Sequence, residues 1–207
     1  MKTVNSKVLY SQTSKYTRTE KEFKVVNYSL EGEAVKKKFK IKVTVIGDGS
    51  VGKTSLIQKF TQGIFKTDYI KTIGAQLTNY ETEIDGYRIE LIFWDIAGQD
   101  EFHFLRPTFY RNSKAAIIVY SLEENDLGER SFKHITKWCR DVKQFCGEIP
   151  VVLFANKVDL VNEKSVDREK IQNMVKELNL LDYYLTSAKT GQGLDQAYNA
   201  LIKKIPR

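Results

Sequence analysis

The chain has 207 residues, 42% of them apolar, with 33 Lys and Arg against 26 Asp and Glu. That is enough for one compact core plus an extension, and no apolar run approaches the roughly 20 residues that a membrane-spanning helix needs. The net charge of +7 is confined to residues 1–42, where 11 Lys and Arg face 4 Glu, while residues 43–207 hold 22 of each sign; a neutral body argues against a nucleic-acid binder.

The N-terminus lacks the apolar stretch of a signal peptide, and Lys2 follows Met1 where myristoylation requires Gly. Residues 1–38 read as a basic extension, either disordered or carrying an added strand at Phe23, Val25 and Tyr28 that hairpins at Gly32 onto the next strand. Two readings stand for Lys36, Lys37, Lys38, Lys40 and Lys42. One is a solvated edge strand and tail; the other is a weak electrostatic contact with an anionic membrane, at roughly 1 kcal/mol per charge near the surface. Asn27-Tyr28-Ser29 matches a glycosylation acceptor without a secretory context.

Phe39, Ile41, Val43 and Val45 alternate as a strand, and Ser55 to Phe60 reads as a helix with Leu56, Ile57 and Phe60 on one face. Between them Gly47 to Thr54 fits G-x-x-x-x-G-K-[ST], a phosphate loop whose amide N–H groups and helix N-terminus point at phosphate oxygens. Lys53 places a compact charge near the terminal phosphates, and the Thr54 hydroxyl is suited to a Mg²⁺ position. Kinases, ATPases and GTPases share this loop, so alone it says only nucleotide.

Asp85-Gly86 is a tight turn joining Gln76–Ile84 to Tyr87–Asp95 as an antiparallel hairpin. Ala115 to Tyr120 and Val151 to Ala155 are short, β-branched and apolar, the mark of buried parallel strands. Phe132, Ile135, Trp138, Cys139 and Val142 share a helical face, and Leu194, Ala197 and Leu201 mark the last helix. Cys139 and Cys146, seven apart on one predicted helix, have no metal or redox spacing and read as reduced packing residues of an intracellular protein. His103 and His134 have no partner spacing and read as structural. Strands alternating with helices predict an α/β fold: a doubly wound, mostly parallel six-stranded sheet with helices on both faces, over residues 39–207.

The base is indicated by Asn156, Lys157, Val158 and Asp159, which follow the strand Val151–Ala155. A carboxylate only accepts hydrogen bonds, so Asp159 can bind the ring N–H and exocyclic amine of guanine together, a donor pair that adenine lacks.

With these motifs the chain resembles the Ras superfamily of small GTPases, most closely its Rab-like members, over residues 39 to 206. The resemblance implies a switch between GTP- and GDP-bound states that slowly hydrolyses GTP, with Asp48, Gly49, Ser50, Val51, Gly52, Lys53, Thr54 and Ser55 around the phosphates. It makes Phe65 to Gly74 switch I and starts switch II at Trp94-Asp95-Ile96-Ala97-Gly98-Gln99. Phe65 is then expected edge-on to the guanine, Tyr69 among the nucleotide contacts, and Thr72 with Thr54 and Asp95 around Mg²⁺. Ser187, Ala188 and Lys189 form the last base-contacting loop, Ala188 giving its N–H to the guanine carbonyl while Lys157 and Lys189 flank the base. Gly98 is expected to sense the γ-phosphate and Gln99 to orient the attacking water.

No arginine has an evident role in cis, Arg106 and Arg111 reading as switch or surface residues, so turnover is expected to be slow until a partner supplies an arginine finger worth about 10³ to 10⁵. Gly49 leaves room for that finger. Activating and exchange proteins and effectors are expected at the switches of a cytoplasmic protein, peripheral to a membrane at most. The Rab pattern is departed from at Gln76 and Leu77, where Asp and Phe are usual, at Ile96 in place of Thr, and at Asp100 and Glu101. The sequence closes on Lys203-Lys204-Ile205-Pro206-Arg207 with no prenylation cysteine. A guanine-nucleotide scaffold with negligible hydrolysis is the alternative reading, and a basic-arm nucleic-acid binder is a third.

Overall fold

A computed structural model describes residues 38–61, 66–70, 75–84, 86–96 and 106–205. The alternating apolar residues after Lys38 form β1 (Lys38–Ile46), and the phosphate loop leads into α1 (Lys53–Phe60). β3 (Ala75–Ile84) and β4 (Tyr87–Ile96) form the anticipated hairpin, with Ile84 opposite Tyr87 and Gly86 at φ 77°, the left-handed conformation a tight turn needs. After α2 (Arg106–Tyr110) come β5 (Ala115–Ser121), α3 (Asp126–Lys133) and α4 (Ile135–Cys146). β6 (Val151–Asn156), α5 (Arg168–Glu177), β7 (Asp182–Thr186) and α6 (Leu194–Lys204) complete the chain.

The six strands expected from sequence are joined by a seventh, β2 (Lys66–Ile70), giving the order β2-β3-β4-β1-β5-β6-β7. β2 falls inside the stretch read as switch I and pairs antiparallel with β3, Lys66 opposite Asn79 and Ile70 opposite Ala75. A ten-residue edge strand would otherwise present a row of unpaired N–H and C=O groups, and the β-branched and aromatic residues of Lys66–Ile70 suit that vacancy in the ladder. β4, β1, β5, β6 and β7 are all parallel neighbours.

Each parallel strand feeds apolar side chains to both faces in alternation. On β5, Ala115, Ile117 and Val119 join a core under α1 and α6, while Ala116, Ile118 and Tyr120 join a second core under α4 and α5. Tyr198 of α6 stacks on Phe60 at 3.7 Å between centroids and meets Phe93 and Phe154 edge-on, tying α1, β4 and β6 to the last helix. The single predicted helix carrying Phe132 to Val142 is divided at His134, but His134 N–H donates to the Arg130 carbonyl and Trp138 N–H to the His134 carbonyl, both at 3.0 Å, so its face is continuous. Among the described residues no helix is long and apolar enough to cross a membrane.

The added N-terminal strand and most of the basic arm lie outside the described residues. Of the clustered lysines, Lys38 pairs with Glu81 at 2.9 Å and Glu90 at 3.0 Å, and Lys40 with Glu90 at 3.4 Å. Lys42 lies 3.8 Å over the Trp94 ring and donates to the Arg111 carbonyl at 3.0 Å. These three are engaged by the sheet.

Candidate phosphate and base site

The carboxyl ends of β1, β4, β5, β6 and β7 lie along one edge of the sheet, and the loops leaving them carry the motifs. β1 is the topological switch point: the chain passes from it to the β3–β4 side and returns across it to β5, leaving a crevice for a ligand. Two glycines set how closely the phosphate loop packs there. A Cβ on Gly47, at φ 143°, would lie 2.1 Å from the Val119 carbonyl oxygen, and one on Gly52, at φ 98°, would lie 2.4 Å from the Asn156 amide nitrogen. Gly49 has nothing within 4 Å of such a Cβ.

Lys53, 6% exposed, donates to the carbonyl oxygens of Gly47 at 2.9 Å and Asp48 at 2.7 Å. Burial pushes its ammonium pKa down, and Asp95 and Asp48 oppose the shift. A buried ammonium whose two hydrogen-bond acceptors are loop carbonyls is under-compensated, which suits an arriving phosphate. At the start of α1 the Thr54 hydroxyl donates to Asp95, and Thr54 and Ser55 are exposed toward the crevice. Burial raises the Asp95 carboxyl pKa, with the Thr54 hydroxyl and the Lys53 charge pulling the other way. Two hard oxygen donors side by side, the Thr54 hydroxyl at the start of α1 and the Asp95 carboxylate on β4, fit Mg²⁺.

On the base side, Asn156 donates to the Val51 carbonyl at 2.8 Å and receives the Thr186 hydroxyl at 3.4 Å, so one buried amide joins the phosphate loop to β6 and β7. Asp159 is exposed and accepts the Ser187 hydroxyl at 2.6 Å; the Thr190 N–H donates to that same hydroxyl at 3.0 Å. Ala188 and Lys189 follow immediately. Lys157, at φ 68°, carries its amine to Glu123, which also accepts the Ser121 hydroxyl at 2.9 Å. The Lys157 hydrogen bond is the main reason the Glu123 carboxyl titrates below its ordinary range.

The structure thus brings together Asp48 to Ser55, Asp95, Asn156, Lys157, Asp159 and Ser187 to Lys189. Phe65, Thr72, Gly98 and Gln99 lie outside the described residues, as does His103, and Tyr69 is described in its backbone alone, on β2. Sequence reasoning missed Glu123 and Ser121 as holders of Lys157, and it missed the partners of the Asp48 side chain. That carboxylate turns toward α3 and α4, with His134 Nδ1 at 2.8 Å and Trp138 Nε1 at 2.9 Å. The four-residue spacing of Arg130, His134 and Trp138 was the available signal, because it places them on one helix face.

Residues 42–207 match the sequence model of the Ras family. The chain is similar to Ras-related protein Rab-21 of Bos taurus, 33% identical over 175 residues that cover 84% of this chain and 77% of that protein. Human Rab-21 is 33% identical over 81% of this chain and 72% of its own length, and human Rab-15 is 33% identical over 79% and 76%. Over the same stretch the loops that hold Lys53, Asn156 and Asp159 line one crevice, and the chain therefore belongs to the Ras family of small GTPases, as a Rab-like guanine-nucleotide switch that hydrolyses GTP.

Proposed function

We propose that the nucleotide lies across the carboxyl edge of the sheet, its phosphates in the Asp48–Ser55 loop and its guanine against Asp159, between the stems of Lys157 and Lys189. The observation that carries this reading is Lys53, buried and donating to its own loop's carbonyls beside the Thr54–Asp95 pair. A polyanion in the loop gives that ammonium stronger acceptors than carbonyls. Ser187 fixes the rotamer of Asp159, so the carboxylate waits in place for two N–H donors.

Thr54 and Thr72, with Asp95 through a water, would hold Mg²⁺, which when bound spreads the negative charge of the β- and γ-phosphate oxygens. Lys53 adds positive charge on the same oxygens as the bond to the γ-phosphorus lengthens, and the Gly98 N–H donates to the γ-phosphate. Gln99 orients the water whose oxygen attacks in line; its proton leaves with the phosphate product. Loss of that phosphate removes the contacts that order Thr72 and Gly98, which is the switch. Activating proteins, exchange proteins and effectors meet the chain at these two segments. Its place of action is cytoplasmic, at a membrane surface, with the charges of residues 1–37 supplying weak attraction to anionic lipid.

Asp159→Asn tests the reading most directly, because it turns one of the two acceptor oxygens into a donor. GTP affinity is expected to fall at least ~100-fold, the loss of a charge-assisted pair, while xanthosine triphosphate gains. Titration of both nucleotides measures it, and unchanged GTP binding removes Asp159 from the base site.

A further inference from the structure

One side chain of the phosphate loop points away from the crevice. The Asp48 carboxylate, 9% exposed, accepts Trp138 Nε1–H on Oδ1 at 2.9 Å and His134 Nδ1–H on Oδ2 at 2.8 Å, with Arg130 Nε 3.6 Å from Oδ2. Since a carboxylate only accepts, the His134 ring carries a proton on Nδ1. Arg130, His134 and Trp138 are spaced by four and stand one above another on the α3–α4 run, whose backbone hydrogen bonds continue through His134. They form a bracket built on one rigid element.

The other end of the same residue holds the phosphate lysine. The Asp48 carbonyl accepts Lys53 at 2.7 Å and the Gly47 carbonyl does so at 2.9 Å. Asp48 is therefore gripped twice, by the helix pair through its side chain and by Lys53 through its main chain. Its negative charge, which would repel a triphosphate, is already matched by Arg130 and two N–H donors. A free loop would lose conformational entropy when a nucleotide orders it, whereas this one has lost that entropy on folding.

We propose that Asp48 is a positioning residue for nucleotide retention: the bracket of Arg130, His134 and Trp138 fixes the Gly47–Asp48 backbone, and with it the resting place of Lys53, in the shape that receives phosphate. The α3–α4 run is thereby a lever on how long the nucleotide stays, acting on the loop from behind, with no contact to the ligand. The inference rests on the loop being the nucleotide's phosphate site, as argued above.

Displacement of a fluorescent GDP analogue from the full chain tests it. Trp138→Phe keeps an aromatic ring and removes one N–H, and His134→Ala sits at a position with 41% of its side chain exposed, where truncation leaves the core intact. Each is expected to speed GDP release by about tenfold, the size of one lost hydrogen bond to a charged group. In an Asp48→Ala background, Trp138→Phe is expected to change release by less than twofold, because both substitutions remove the same contact. A Trp138 that merely fills the core gives additive effects in this cycle and overturns the proposal. So do release rates within twofold of the parent chain in both single variants. A parent chain that fails to retain the GDP analogue at all refutes the assignment of the loop itself, a result distinct from the other two.

Discussion

The two halves of the sheet differ in what covers them. β5 and β6 are buried at every residue, apolar on both faces. On β3, among the residues whose side chains are described, Thr78 alone is buried, while Glu81 and Glu83 are exposed. The parallel half is a two-sided core with polar anchors at its carboxyl edge, where Asn156, Lys53 and Ser187 are each buried and hydrogen-bonded. The antiparallel half, β2 to β4, ends in the β3–β4 hairpin, whose Glu81 makes a surface ion pair with Lys38 of β1. Most of the described residues of the proposed site come from the parallel half, and Asp95 of β4 is the one drawn from the other. Gln76 and Leu77, where the Rab pattern has Asp and Phe, sit half-buried on β3 opposite Asp95 and Trp94.

The comparison is sharpest as a pair of truncations. Phe154→Ala on β6 removes a fully buried ring in contact with Tyr198 and is expected to cost about 3–5 kcal/mol, whereas Leu77→Ala on β3 is expected to cost about 1 kcal/mol. Urea unfolding measures both, and equal costs would erase the distinction between the halves. Next in size is Gly52→Ala, which strains a backbone at φ 98° and drives a methyl toward the Asn156 amide, 2.4 Å away. It should weaken GDP binding by roughly 10- to 100-fold, about 1–3 kcal/mol of strain, as calorimetry would show. Gln99→Leu addresses the second half: GTP is expected to bind as before and to be hydrolysed at least ~10-fold more slowly, near 1.4 kcal/mol of barrier. An unaltered single-turnover rate removes Gln99 from the water.

What was legible in the sequence was local. The phosphate loop, the Asp85-Gly86 hairpin and the face from Phe132 to Val142 depend on spacings of two or four residues and on glycines within the same segment. The Asn156–Asp159 loop declared itself because a carboxylate has one chemistry toward guanine. What escaped was set by register across the sheet. Nothing near Asp48 announces Trp138, 90 residues on, and nothing near Lys157 announces Glu123, 34 residues back. His134 reads as structural in isolation; its partner on the phosphate loop is 86 residues earlier. β2 escaped for a related reason, since Lys66–Ile70 becomes a strand only where β3 offers it a free edge. The basic run before the phosphate loop looks like one patch in sequence, yet along one face of β1 Lys38 and Lys40 meet Glu90 while Lys42, further toward the loop, meets Trp94 and the Arg111 carbonyl.

The smallest expected effect tests that dispersal of charge. Burial lowers the Lys42 amine from its ordinary 10.5 to about 8, although Trp94 and the Arg111 carbonyl both favour the ammonium and the facing Cys146 also acts to raise it. Between pH 8 and 10.5 the unfolded chain therefore holds a proton on Lys42 that the folded chain has released. Stability increases with pH wherever the unfolded state binds more protons, so the Lys42 contribution grows as pH rises through this window. Lys38 titrates with the opposite sign, held above its ordinary value by Glu81 and Glu90, and that slope is common to the parent chain and a Lys42→Met variant. The difference in unfolding midpoint between the two should shift toward the parent chain as pH is raised from 7 to 10. A difference that stays flat with pH places Lys42 in water with the rest of the basic run, and with it restores the surface patch that the sheet otherwise divides.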